Sequence, residues 1–225
     1  MVSKNKNMKK WIFGCLLLVL ATSGCSNQER ISKEVFDEVN KNMEVKKLSE
    51  SDILQQGMAW GDSISKEAQE LLISNLQKAI AEKGVTEAIG FCQIEAFPLL
   101  RTISDKYGIK VKRASNRFRN PADQPDADEA KILEAYEYNA ENGIVSDPNI
   151  QKIEGGEVYL YTKAIVIPGG FCLSCHGDPT RDIDAKTLSE ITKRYPSDKA
   201  TGHQVGDLRG MWAIKIPKKQ VVLRM

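Results

Sequence analysis

Three residues of this chain stand at a spacing suited to one kind of chemistry. Cys172 and Cys175 flank two residues in Cys172-Leu173-Ser174-Cys175-His176, and the histidine follows directly. Thiols at that spacing reach both vinyl groups along one edge of a porphyrin and add across them as thioethers. The adjacent histidine then meets the iron as proximal ligand, the attachment pattern of a single covalent haem c. Other uses of these residues lack support. A structural zinc site needs four ligands, and beyond the motif only Cys92 and His203 remain, far apart in sequence. A thioredoxin-like pair wants a βαβ setting with its first cysteine at a helix start. Here Pro168-Gly169-Gly170 before the motif and Gly177-Asp178-Pro179 after it predict a loop. A plain disulfide between the two cysteines would leave His176 without a role.

A haem held in this way needs a second axial ligand or an open site. The residues able to fill it are Cys92, His203 and methionines such as Met58 and Met211. Cys92 falls on the apolar face of a helical pattern, which leaves two fates open, a small buried hydrophobe or an iron ligand. His203 sits between Gly202 and Gln204 in a polar loop, so a surface position is expected for it. Met211 lies inside a strand pattern, where core packing is expected.

The chemistry requires a compartment where thioethers form, outside the cytoplasm, and the N-terminus agrees. Lys4, Lys6, Lys9 and Lys10, with no acid among them, precede an apolar run over residues 11–21. Eleven helical residues reach only about 17 Å, short of the roughly 20 residues that span a bilayer. A basic segment, a short apolar one and small residues after it describe an export signal over residues 1–24. The stretch Thr22-Ser23-Gly24-Cys25 resembles the bacterial lipobox, in which the cysteine receives a diacylglyceryl group and becomes the mature N-terminus. Thr22 stands where leucine or valine is usual. Two or more acyl chains would attach the protein stably to a membrane without a spanning helix.

Composition bounds what remains. Of 225 residues, 41% are hydrophobic and 28% charged, as in a globular protein. The formal charge of +2 is too small a field to recommend nucleic acid as a partner. Taking the four leader lysines from 32 basic residues leaves 28 against 30 acidic, so the exported chain is slightly negative. Five cysteines are too few for a disulfide scaffold, and an odd number cannot pair off internally.

The elements that must position these residues follow in order. Residues 25–50 read as a polar tether and 51–225 as the folded domain. Leu71, Leu72, Leu76 and Ile80 repeat at helical spacing over residues 65–83, closed by Gly84. A second helix is expected over 85–107, with its apolar stripe through Ile89, Cys92, Ala96, Leu99 and Ile103 and a kink at Pro98. Residues 109–113 alternate like a strand, 115–126 form a loop, and 127–142 a charged helix closed by Gly143. Two strands flank Gly155 and Gly156 within 151–167, and a last strand covers 208–216. Helices first and strands last predict an α+β fold with an antiparallel sheet.

Three segments together carry a resemblance: residues 172–177, residues 201–210 from Thr201 to Gly210, and residues 112–122 from Lys112 to Ala122. They resemble a bacterial family of c-type haem proteins with a PAS-like fold, long catalogued as a domain of unknown function, with a cyanobacterial prototype met in photosystem preparations. The likeness runs from about Leu72 to the C-terminus. It implies a PAS-like antiparallel sheet flanked by N-terminal helices around one covalent haem. It also implies that a cysteine from an early helix ligates the iron opposite the histidine, and Cys92 stands at that place. The family often carries an aromatic residue where this chain has His203. Arg117 and Arg119, in the loop of the third segment, are candidate partners for the haem propionates because guanidinium pairs well with carboxylate.

The expected protein is therefore an exported, lipid-anchored monohaem cytochrome, on the periplasmic side of the inner or outer membrane, with His176 and Cys92 as axial ligands. It would act in electron transfer or redox sensing with an unidentified partner protein. The alternative is a gas or small-ligand sensor in which the cysteine ligand is displaceable. An enzymatic, peroxidase-like use would need a polar acid–base group at an open distal site, for which His203 is the sole histidine left. Family members also occur as input domains of sensor kinases. With no second apolar run of membrane length and no output domain, this chain is not expected to signal across a membrane alone. If Cys25 carries the anchor, Cys25→Ser will abolish incorporation of labelled fatty acid and move the protein from the membrane to the soluble fraction.

Overall fold

The computed structural model describes the backbone of residues 32–42, 48–94 and 96–225, and their side chains apart from those of 41–42 and 92–97. The leader, Cys25 and the side chain of Cys92 lie outside the described residues. The chain divides into two compact units, residues 1–47 and 48–225. In the first, helix α1 spans Lys33–Asn42, inside the stretch read as tether.

The second unit opens with α2, Glu50–Lys83, which starts well before residue 65. Ser49 caps it: its hydroxyl accepts from the Asp52 backbone N–H while the Asp52 carboxylate accepts from Ser49 N–H. Gly57 and Gly61 interrupt the apolar spacing, and the structure shows why they are small. A Cβ on Gly61 would come 2.3 Å from the Tyr161 ring, so the helix backbone lies directly on that side chain. The single kinked helix expected over 85–107 is instead α3, Val85–Ile94, and α4, Ala96–Tyr107. Pro98 falls in the first turn of α4, where no intrahelical N–H bond is lost.

Four strands, β1 Lys110–Ala114, β2 Asn149–Ile153, β3 Val158–Val166 and β4 Leu208–Pro217, form one antiparallel sheet in the order β1-β4-β3-β2. Between β1 and β2 lies α5, Ala127–Glu141, with a capping box from Asp126 and Glu129. Between β3 and β4 come α6, Gly170–His176, and α7, Ala185–Arg194, and α8, Lys218–Val222, follows the sheet. Neither α6 nor α7 was legible: the motif expected in a loop lies on a helix.

Side chains alternate across the sheet with the two-residue period of a strand. Tyr159, Tyr161, Trp212, Ile214 and Ile216 face α2 and α4, where they join Ile53, Ile64, Leu100 and Ile103. Leu160, Met211 and Ala213 face α5 and pack on Ile132, Leu133 and Tyr136. Met211 is thus core, as its strand pattern implied. The α+β expectation holds, with helices flanking a four-stranded antiparallel sheet. Replacing Gly61 by valine forces branched carbons into the Tyr161 ring. The variant should lose about 1–3 kcal/mol of stability, read as a lower denaturant midpoint.

Candidate functional site

Helix α6 carries the motif and has only seven residues, too few to persist alone, since isolated helices shorter than about 12–15 residues are marginal in water. The N–H of its own cap residue closes the last turn, and the Cys175 and His176 carbonyls are taken up from outside the helix. Gly177 N–H donates to the Leu173 carbonyl at 2.8 Å, and His203 N–H donates to the His176 carbonyl at 2.8 Å. The Arg119 guanidinium donates through Nη2 to the Cys175 carbonyl at 2.6 Å. Just past the helix, Gly202 N–H donates to the Gly177 carbonyl at 2.7 Å. A Cβ at Gly177 would stand 2.6 Å from the Asp182 Cβ and 2.7 Å from the Leu173 carbonyl oxygen, so this turn accepts glycine alone.

Arg119 is itself held by Asp198, with Nε 3.0 Å from Oδ1 and both side chains 9% exposed. The same carboxylate oxygen accepts from Ala200 N–H at 3.2 Å. His176 Nδ1 faces the Ala200 carbonyl oxygen at 2.8 Å. A carbonyl only accepts, so Nδ1 carries the proton and Nε2 keeps its lone pair. Burial pushes the His176 pKa well below the usual histidine value, and the Arg209 and Arg119 charges push the same way. The ring is therefore a neutral imidazole of fixed tautomer, in the state that binds a metal. Burial likewise raises the Cys172 thiol.

Beside α6 is a cavity of about 460 Å³, open to the Cys172, Cys175 and His176 side chains. Leu72, Leu76 and Ile80 of α2 form one wall, and Ile165 and Trp212 of the sheet form the facing one. Ala88 and Ile89 of α3 also line it. The volume is in the range of small-molecule and cofactor sites, about 300–1,000 Å³.

The other residues singled out from the sequence are placed as follows. Arg119 lines the cavity, but its guanidinium already serves Asp198 and Cys175. Arg117 turns elsewhere: Nη1 lies 3.2 Å from His203 Nδ1, and Nη2 donates to the Thr201 carbonyl. His203 is not a surface residue but 1% exposed. Its N–H is drawn in by the His176 carbonyl, and its ring stands edge-on to that of His176 at 6.3 Å between centroids. Burial and then the Arg117 charge lower its pKa to about 4. Met58 packs against the α2–α4 core.

Sequence reasoning missed Arg113, Asp123 and Arg209, which line the cavity near the β1–β4 junction. Arg209 donates through Nη1 to the Ser115 hydroxyl at 3.2 Å and to the Arg117 carbonyl at 2.9 Å. Burial, then the Arg113 and Arg119 charges, bring its pKa down to about 9. Asp123 is 6% exposed, and burial raises its carboxyl against the pull of Arg113. The available signal was an arginine at the head of an otherwise apolar strand pattern.

Fold and site together define an α+β domain that presents a Cys-x-x-Cys-His helix to an apolar cavity between a long helix and a sheet. The chain belongs to the Tll0287-like family, whose model matches residues 24–217. That reaches much further toward the N-terminus than the stretch from Leu72 over which the motifs resembled it. The crystal structure of the cyanobacterial heme-protein Tll0287 is similar, with a TM-score of 0.56 at 24% identity, over 72% of this chain and 94% of that one. At that identity the likeness speaks for the fold. No curated protein matches the chain.

The Arg119–Asp198 pair generates a test. Asp198→Ala leaves a buried guanidinium uncompensated and should cost about 3–5 kcal/mol. The double variant R119A/D198A should lose less than the sum of its parts, measured as a double-mutant cycle of unfolding free energies.

Proposed function

We propose that this protein is an exported, lipid-anchored c-type haem protein that transfers electrons or reports redox state. The observation that carries the reading is the short helix α6. It offers two cysteines and a neutral imidazole of fixed tautomer to one apolar cavity of cofactor size. That donor set fits a covalently held haem: thiols for two thioether bonds, and Nε2 of His176 for the iron. Membership of a family named for a heme-protein supports the same reading.

When bound, the group would supply one-electron exchange at iron. The chain's own residues do the rest. Cys172 and Cys175 would hold the porphyrin edge by thioether bonds, so that retention would not depend on a dissociation constant. Ala200 orients the imidazole through Nδ1 and raises its basicity as a ligand. The apolar walls from α2 and α3 would limit water beside the group, and solvent exposure is one of the levers on its potential. Cys92 is proposed as the second axial ligand. It follows Ala88 and Ile89 by one helical turn, and both of those line the cavity. A thiolate there would donate electron density and favour the oxidised state, giving a low potential beside His/Met cytochromes.

The test is to express the chain with the c-type maturation machinery and record its visible spectrum. We expect a six-coordinate, low-spin ferric protein with thiolate character, and a high-spin or five-coordinate spectrum in Cys92→Ala. An unchanged spectrum in that variant overturns cysteine ligation, and a colourless protein overturns the haem reading.

A further inference from the structure

The proposed function leaves one end of the cavity without a task. Where β1 and β4 meet, its wall turns from apolar to cationic, and Arg113 and Arg209 both line it. The protein matches neither guanidinium in full. Arg209 gives Nη1 to Ser115 and to the Arg117 carbonyl. Arg113 reaches the Asp123 carboxylate at 3.6 Å through Nη2. The Nε of each is buried with no hydrogen-bond partner. A buried N–H donor left unmatched is costly, because neither water nor protein repays its lost solvation.

The other cations on this wall are taken. Arg119 is committed to Asp198 and the Cys175 carbonyl, and Lys163 lies 2.6 Å from Asp62 Oδ1. Asp123 neutralises at most one of the two arginines, so a net positive charge faces the cavity. Guanidinium presents a planar fork that meets a carboxylate through two parallel N–H bonds. A group carrying carboxylates on an otherwise apolar body would satisfy both halves of this cavity.

We propose that Arg113 and Arg209 form a carboxylate-binding pair that receives the propionates of the haem. The inference rests on the haem reading and replaces Arg117 and Arg119 with two residues whose donors are still unmatched. It makes Arg113 and Arg209 binding residues and leaves Arg119 as the brace of α6.

The experiment separates this pairing from haem binding as such. The full chain carrying Cys172→Ala and Cys175→Ala takes up haem without thioether bonds. It is titrated with iron protoporphyrin and, separately, with its dimethyl ester, which lacks the two charges. The ester should bind about tenfold more weakly. In the same chain with R113Q and R209Q the two porphyrins should bind alike. An ester penalty of equal size in that variant overturns the pairing. So does equal binding of both porphyrins when the arginines are intact. Should the double variant lose its far-UV spectrum, R113Q and R209Q are read singly. Each should shrink the penalty, and an unchanged penalty in both contradicts the proposal. Failure of both porphyrins to bind with the arginines in place overturns this inference, while the haem reading is decided separately by the visible spectrum of the chain with both cysteines.

Discussion

The Cys175 and His176 carbonyls at the end of α6 have no partners within their own helix, and most of the site depends on what the rest of the chain gives them. One segment, residues 198–203, supplies the greater part. It sends the His203 N–H and the Gly202 N–H into the helix end and offers the Ala200 carbonyl to the imidazole. Through Asp198 it also fixes the arginine that caps Cys175. A single run of backbone thus sets the helix's position, the histidine's tautomer and the buried charge beside it. Because these bonds share partners, loosening one exposes the others, and the site should behave as a unit.

The cavity extends the hydrophobic core and is walled by the elements that build it. Trp212 belongs both to the α2-facing core and to the cavity wall. The sheet therefore supports the site without a separate scaffold, and α2 covers core and cavity along one helix. Gly61 allows that helix to lie flat on Tyr161. Most of the lining is apolar, and the two arginines with incompletely matched donors, Arg113 and Arg209, lie where β1 and β4 meet. That division suits a flat hydrophobic group with an ionised rim better than a polar substrate.

How much of this was legible varied with the physics of each element. The strands announced themselves through two-residue alternation, and the sheet appeared where expected. The motif cysteines and histidine were legible because covalent attachment demands fixed spacing in sequence. Helix α6 was not, because it is held by tertiary hydrogen bonds that local propensity does not register, and its flanking glycines and proline read as a loop. The first half of α2 was hidden because its apolar positions are scattered among polar ones, with Gly57 and Gly61 standing where the helix packs closely on the sheet. His203 looked exposed among polar neighbours, yet a backbone bond to the His176 carbonyl pulls it inside. Arg113 and Arg209 passed unnoticed because their partners come from distant segments, and only the folded chain brings them together.

The claim on which everything rests is that two thiols of α6 hold one haem by covalent bonds. Intact mass spectrometry of the denatured protein, after expression with the c-type maturation machinery, addresses it most directly. The haem assignment predicts the mass of the processed chain plus one haem, retained through acid and organic extraction and lost when Cys172 and Cys175 are both alanine. A bare chain mass, or a haem that washes away under denaturing conditions, would contradict it.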